Sequence, residues 1–116
     1  MTDHSSGVAA EELAARYLAN RGLFVIARNY RCRFGEIDLI ARDGAVLVFI
    51  EVRLRRGSRF GGAAASITPA KQKKLVATAR CYLAGLKELP GCRFDAILLD
   101  SLDTRRIEWL RDIIAE

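Results

Sequence analysis

Two short runs hold the residues whose types and spacing could do chemistry. Glu36-Ile37-Asp38 and Glu51-Val52-Arg53 each set two charged side chains two positions apart, the spacing that sends both to one side of a β-strand. Asp43-Gly44 separates the β-rich stretches 36–42 and 45–54, and Asp-Gly between such stretches predicts a two-residue hairpin turn. A turn at 43–44 pairs Arg42 with Ala45, sets Asp38 opposite Phe49 and Glu36 opposite Glu51, and leaves Asp38 and Glu51 diagonal, with Cα atoms about 7–8 Å apart. On this register Glu36, Asp38, Glu51 and Arg53 share one face. Ile37, Leu39, Val46, Val48, Ile50 and Val52 share the other, the core face.

Carboxylates so placed can share a small divalent cation, because Mg²⁺ takes octahedral oxygen ligands, often from one or two carboxylates with water or phosphate completing the shell. Glu36 facing Glu51 is a like-charge pair that destabilises a sheet unless a metal or Arg53 compensates. Arg53, on the same face, could hold developing phosphate charge. A cation that activates water, a positive group on the phosphoryl oxygen and a basic surface together suit metal-assisted phosphodiester hydrolysis. The same pattern also describes a half-exposed sheet with solvated charges.

The elements that must position these residues follow from the rest of the chain. Ser5 or Ser6 can cap a helix running to about Asn20. Residues 23–27 read as a short strand, and 28–33 as an Arg-rich link. After the hairpin, 55–62 is a basic, glycine-rich loop. Thr68-Pro69 opens a second helix, Thr as cap and Pro at its first position, with Leu75, Val76, Ala79, Tyr82, Leu83 and Leu86 inward. Residues 93–99 form an inner strand and 106–110 an edge strand, with a short helix to close. The order αβββαββ predicts an α/β fold, a mixed sheet flanked by helices. Asp95 reads as structural, pairing with a nearby Arg, and Trp109 as a packing residue.

Size and composition bound the function classes. The 116 residues are 51% hydrophobic and 28% charged, which suits a single domain, 1–116, with residues 1–5 as a flexible tail. No apolar run approaches the ~20 residues of a membrane span, and residues 1–7 have no secretory pattern, so a cytoplasmic protein is expected. The 19 Lys+Arg against 14 Asp+Glu give a net charge of +5. From Arg21 to Arg59 there are nine arginines and four acids, a basic surface that suits nucleic acid as well as mere solubility. Cys32, Cys81 and Cys92 have no C-x-x-C spacing and only one His beside them, which argues against structural zinc. Cys81, in an apolar helical stretch, reads as a small buried hydrophobe.

Gly35-Glu-Ile-Asp-Leu-Ile-Ala41 followed by Val48-Phe-Ile-Glu-Val-Arg53 resembles the YraN-like family of small bacterial proteins, predicted endonucleases related to the archaeal Holliday-junction resolvases and the PD-(D/E)xK nucleases. The resemblance runs on through Gly7-x-x-x-Glu11-x-x-Ala14, Arg28-Asn29-Tyr30, Phe60-Gly61, Lys71, Ala79-x-x-Tyr82-Leu83 and Arg93-Phe94-Asp95. It implies a restriction-endonuclease-like three-layer α-β-α fold. Asp38 resembles the first metal-binding acid and Glu51 the second, with the carbonyl of Val52 as a further ligand. Glu11 resembles the helix acid that approaches the metal indirectly. Arg53 stands where the motif has lysine; it keeps the charge but cannot accept a proton from water.

The resemblance therefore implies a Mg²⁺- or Mn²⁺-dependent endonuclease on branched or structured DNA, with Arg31, Arg33, Arg55, Arg56, Arg59 and Lys71 available for phosphates. A homodimer would suit the two strands of a junction. A second reading keeps the nuclease fold as a non-catalytic nucleic-acid-binding or scaffold protein. A third is a protein-interaction module.

Overall fold

The computed structural model describes residues 4–54, 67–100 and 107–114. Arg55, Arg56, Arg59 and the glycines of that loop lie outside the described residues. The elements are α1 (His4–Ala19), β1 (Phe24–Cys32), β2 (Gly35–Asp43), β3 (Val46–Leu54), α2 (Pro69–Ala84), β4 (Cys92–Leu99) and β5 (Ile107–Leu110). The expected order αβββαββ is the observed one.

The sheet runs β1-β2-β3-β4-β5. Only β3 and β4 are parallel; the other neighbours are antiparallel. A parallel neighbour cannot be reached by a hairpin, so the chain crosses one face, and α2 lies in that crossover. Its start is built as the sequence predicts. Thr68 is extended, its Oγ1 accepts the Lys71 N–H at 3.2 Å, and Pro69 follows. Thr68→Ala should cost about 1 kcal/mol, seen as a lower denaturation midpoint at unchanged slope in urea.

Side chains alternating along β3 build a core on each face. Val48 and Ile50 pack with Leu39, Ala41, Ile97 and Leu99 against Ala10, Ala14 and Leu18 of α1. Leu47 and Phe49 pack with Ile37, Ile40 and Phe94 against Leu75 and Ala79 of α2. Helices on both faces of a mixed sheet make the three-layer α-β-α fold that the resemblance implied. The α2 layer is also aromatic: Phe49 stacks on Phe94 at 5.4 Å and meets Tyr82 edge-on at 6.1 Å, geometries that ring quadrupoles favour. The central strand is thus gripped from both sides, a rigid platform for its last residues, Glu51 to Leu54.

Several details depart from the sequence expectations. α1 begins at His4, so Ser5 and Ser6 lie inside the helix instead of capping it. The stretch 28–33 is no link, because β1 continues to Cys32 by pairing with β2 as far as Cys32↔Gly35. The hairpin turn is Gly44-Ala45, with Asp43 opposite Val46. Of 43–45 only Gly44 has a positive φ, 61°; that matches a turn with glycine first, whereas Asp-Gly in the predicted turn needs positive φ at both positions. Ile37 and Leu39 lie on opposite faces, because side-chain alternation along β2 breaks between them. Leu86 lies past the end of α2 and is exposed, while Thr78 is buried instead.

Another departure is at the end of the chain. Residues 111–114 form no helix. Asp112 is left-handed, φ 55°, its N–H donates to Asp95 at 2.9 Å, and Ile113 N–H donates to the Phe94 carbonyl at 2.7 Å. The left-handed Asp112 is incompatible with a right-handed helix, and the two bonds hold 112–113 against β4 instead. Asp95 itself is structural, as expected: it pairs with Arg93 at 3.1 Å. Trp109 packs edge-on against Tyr17 at 6.4 Å. Among the described residues no helix is long and apolar enough to cross a membrane.

Candidate functional site

The site begins where two strands part. The β2–β3 ladder runs from Asp43↔Val46 to Leu39↔Ile50 and stops, although β2 starts at Gly35 and β3 reaches Leu54. At the head of the fork Asp38 Oδ2 accepts the Val52 N–H at 2.8 Å, so a side chain takes over a main-chain partner's place. Asp38 and Glu51 are therefore not diagonal across a regular ladder but meet at its end.

A second distortion faces the first. The β1–β2 pairing passes from Arg28↔Leu39 to Tyr30↔Ile37 without pairing Asn29 and Asp38. Asn29 has φ 52°, a left-handed conformation that Asn tolerates better than most residues. The break in alternation turns Ile37 to the α2 core and leaves Leu39 in the α1 core. It also frees Asp38 to sit between the layers.

Acids converge there from three elements. Carboxylate oxygens of Glu11 (α1), Glu36 and Asp38 (both β2) lie within 4.8 Å of one another. Asp38 also shares a hydrogen bond with Glu51 of β3, and Glu11 bonds to both Asp38 and the Asn29 side chain. Glu11 comes from the helix on the face opposite α2 and meets Asp38 at the fork.

Such crowding makes ionisation costly. Burial pushes the Asp38 carboxyl up to about 8, with the Glu51 charge and hydrogen bond adding to it, while the Val52 N–H acts the other way. Burial also raises Glu11, and the Glu36 charge adds to it. A raised carboxyl among like charges, in a cleft, is a mark of functional sites.

Two cations face the acids. Glu51, 4% exposed, accepts from Arg53 Nη2 at 2.7 Å and lies 3.5 Å from Lys71 Nζ of α2. Arg53 Nε is buried and has no acceptor among the described residues. An unmatched buried donor of this kind costs about 1–3 kcal/mol. Glu36, Asp38, Glu51, Arg53 and Lys71 line one cleft of about 460 Å³, with Lys74 a helical turn beyond Lys71. Hard oxygens suit Mg²⁺ or Mn²⁺, and the two cations suit an anionic partner.

The expected residues thus divide. Glu11, Glu36, Asp38, Glu51, Val52 and Arg53 come together, as does Lys71, which reaches the acids themselves. Arg31 pairs with Glu36 and is otherwise exposed; Arg33 lies over the Phe34 ring, 4.8 Å from its centroid. Both stand at the turn between β1 and β2, and neither lines the cleft. Sequence reasoning has Asn29 only as part of the Arg28-Asn29-Tyr30 motif and misses its role, which is to hold Glu11.

Comparison with known proteins gives one family. The family described as "Uncharacterised protein family UPF0102" matches residues 10–99. This agrees with the resemblance of the Gly35–Ala41 and Val48–Arg53 runs. Similar relatives are a UPF0102 protein of Ralstonia nicotianae, 59% identical over 93% of this chain and 85% of the relative, one of Methylobacillus flagellatus, 59% identical over 89% and 90%, and one of Nitrosospira multiformis, 54% identical over 97% and 94%.

Proposed function

The chain belongs to the uncharacterised protein family UPF0102, and from the acid cluster at its fork we propose that it is a divalent-cation-dependent endonuclease acting on branched or structured DNA. One observation carries the reading: Glu11, Glu36 and Asp38 crowd their oxygens together while Asp38 is bonded to Glu51 beside two cationic side chains. Charges of one sign concentrate this way at a cost in stability, and a bound cation removes that cost.

The donor set fits a hard cation. Asp38 would be the common ligand, with Glu51 and the Val52 carbonyl from β3, and Glu11 and Glu36, whose oxygens lie within 4.8 Å of Asp38's, would stand beside the cation. A cation bound there supplies an activated water and charge on the phosphoryl oxygens. The chain's own side chains do the rest. Val52 N–H orients Asp38. Asn29 orients Glu11. Arg53 and Lys71 line the cleft and offer positive charge to a phosphate oxygen, and Lys74 extends that rim along the backbone of a nucleic acid. Because Arg53 stays protonated, it stabilises charge and takes no proton.

Incubating the protein with four-way-junction and linear duplex DNA, in Mn²⁺, Mg²⁺ or chelator, tests this. Cleavage of the junction that needs the cation and disappears in Asp38→Ala is expected. No cleavage of either DNA, or cleavage unaffected by Asp38→Ala, contradicts it. Arg53 in the lysine position favours one other reading, a nucleic-acid-binding protein that has kept the nuclease fold without the reaction. That reading expects salt-dependent DNA binding which survives loss of both Asp38 and Glu51, and cleavage gained on Arg53→Lys would indicate a dormant site.

A further inference from the structure

Two thiols approach each other at the turn between β1 and β2. Cys32 ends β1 and pairs with Gly35, which begins β2. Gly35 lies so close to α2 that a Cβ there would meet the Thr78 hydroxyl at 3.1 Å, and its φ of +153° further disfavours a side chain. Thr78 and Cys81 are three residues apart on α2, hence on one helix face. The register and this close approach bring Cys32 to Cys81, near enough for each thiol to shift the other's ionisation. Phe34 N–H donates to Cys32 Sγ at 3.4 Å. Both cysteines are partly exposed, so Cys81 is not the buried hydrophobe its helix suggested.

The surroundings divide the roles. Burial pushes the Cys32 thiol up, but hydrogen bonds from Phe34, Cys81, Gly35 and Thr78 outweigh it and leave Cys32 below the ordinary thiol range. The bond to Cys32, with burial, holds Cys81 above that range, against the pull of the Arg33 charge. A thiol that ionises easily, partly exposed and beside a second thiol, has the arrangement of a nucleophilic and a resolving cysteine.

We propose that Cys32 and Cys81 are a dithiol oxidised by peroxides to an intramolecular disulfide, which staples the β1–β2 tip to α2. The Cys32 thiolate attacks a peroxide oxygen. The O–O bond breaks, leaving a sulfenic acid on Cys32 and a hydroxide that takes up a proton. The Cys81 sulfur then attacks the Cys32 sulfur. The S–S bond forms, the S–O bond breaks, and the departing hydroxide leaves as water with the Cys81 proton. Two thiols lose two electrons in all, and one hydrogen peroxide becomes two waters. Gly35 and Glu36, just beyond the staple, face Lys71 and Lys74 of α2 across the acid cleft. The disulfide fixes the spacing of those two walls.

Treating the full chain with hydrogen peroxide tests this by intact mass and non-reducing peptide mapping. The expected result is loss of two hydrogen atoms, a linked Cys32–Cys81 peptide, a melting temperature several degrees higher, and reversal by dithiothreitol. Cys81→Ser should abolish the link and Cys92→Ser should not. Oxygen added to Cys32 with no linked peptide, or linkage through Cys92, overturns the proposal. Alkylation of the unaltered chain gives a reading independent of any variant's folding: prior peroxide should protect Cys32 and Cys81 together, and protection of neither overturns the proposal equally.

Discussion

Asp38→Asn should lower cation-dependent cleavage by roughly 10³-fold and at the same time make the metal-free protein more stable at pH 8. The two effects have one cause. Asp38 carries a carboxyl raised to about 8 by burial and by Glu51, against an ordinary 3.8. Between those values the folded chain binds a proton that the unfolded chain has released. Stability therefore falls as pH rises from about 4 to about 8 and levels off above. The loss amounts to at least about 2 kcal/mol, reduced by coupling to Glu51. Asn keeps an oxygen for the Val52 N–H and has no charge to bury. Urea denaturation in chelator at pH 5 and pH 8 checks this. The native chain should lose stability between the two, and Asp38→Asn should lose much less. Equal slopes would mean that Asp38 ionises without penalty.

The second large effect comes from a residue of β4 that does not line the cleft. Asp95→Ala should destabilise the chain by about 3–5 kcal/mol while leaving cation binding intact in the protein that remains folded. Asp95 is 1% exposed. It accepts from Arg93 Nε at 3.1 Å with both oxygens, from Trp109 Nε1 at 2.9 Å and from Asp112 N–H at 2.9 Å. Removing it strands the indole and the Asp112 amide, although Arg93 keeps Asp43 at 2.9 Å. The bonds from Trp109 and Asp112 tie β5 and residues 111–114 to β4. Hydrogen exchange should accelerate first at 107–113 and leave β2 and β3 protected. Uniform acceleration across the sheet would show that Asp95 supports the whole core instead.

Much of this architecture is legible in the sequence because local chemistry decides it. Thr68-Pro69 starts α2, the alternation of β3 separates two cores, and Glu51 and Arg53 reach one cleft because their spacing of two survives the change of register. The register itself is not legible, since Asp43-Gly44 and Gly44-Ala45 are both acceptable turns and only the pairing of the whole hairpin chooses between them. The turning of Ile37 away from Leu39 depends on the conformation of Asn29 in the neighbouring strand, and no local pattern in β2 announces it. The arrival of Lys71 at Glu51 depends on how α2 lies on the sheet after the crossover. The Cys32–Cys81 contact joins segments far apart in sequence. In each case the deciding interaction is tertiary, and a window of neighbouring residues does not contain it.

If the acids at the fork form a cation site, calorimetric titration of the metal-free chain with Mn²⁺ at two pH values should reveal it. Binding to a site that includes Asp38 should release close to one proton at pH 7, detected as a dependence of the heat on the buffer, and fewer at pH 9. Asp38→Asn should abolish both the binding and the proton release. Saturable binding that releases no proton and is unchanged in Asp38→Asn, or no binding at either pH, would contradict the account.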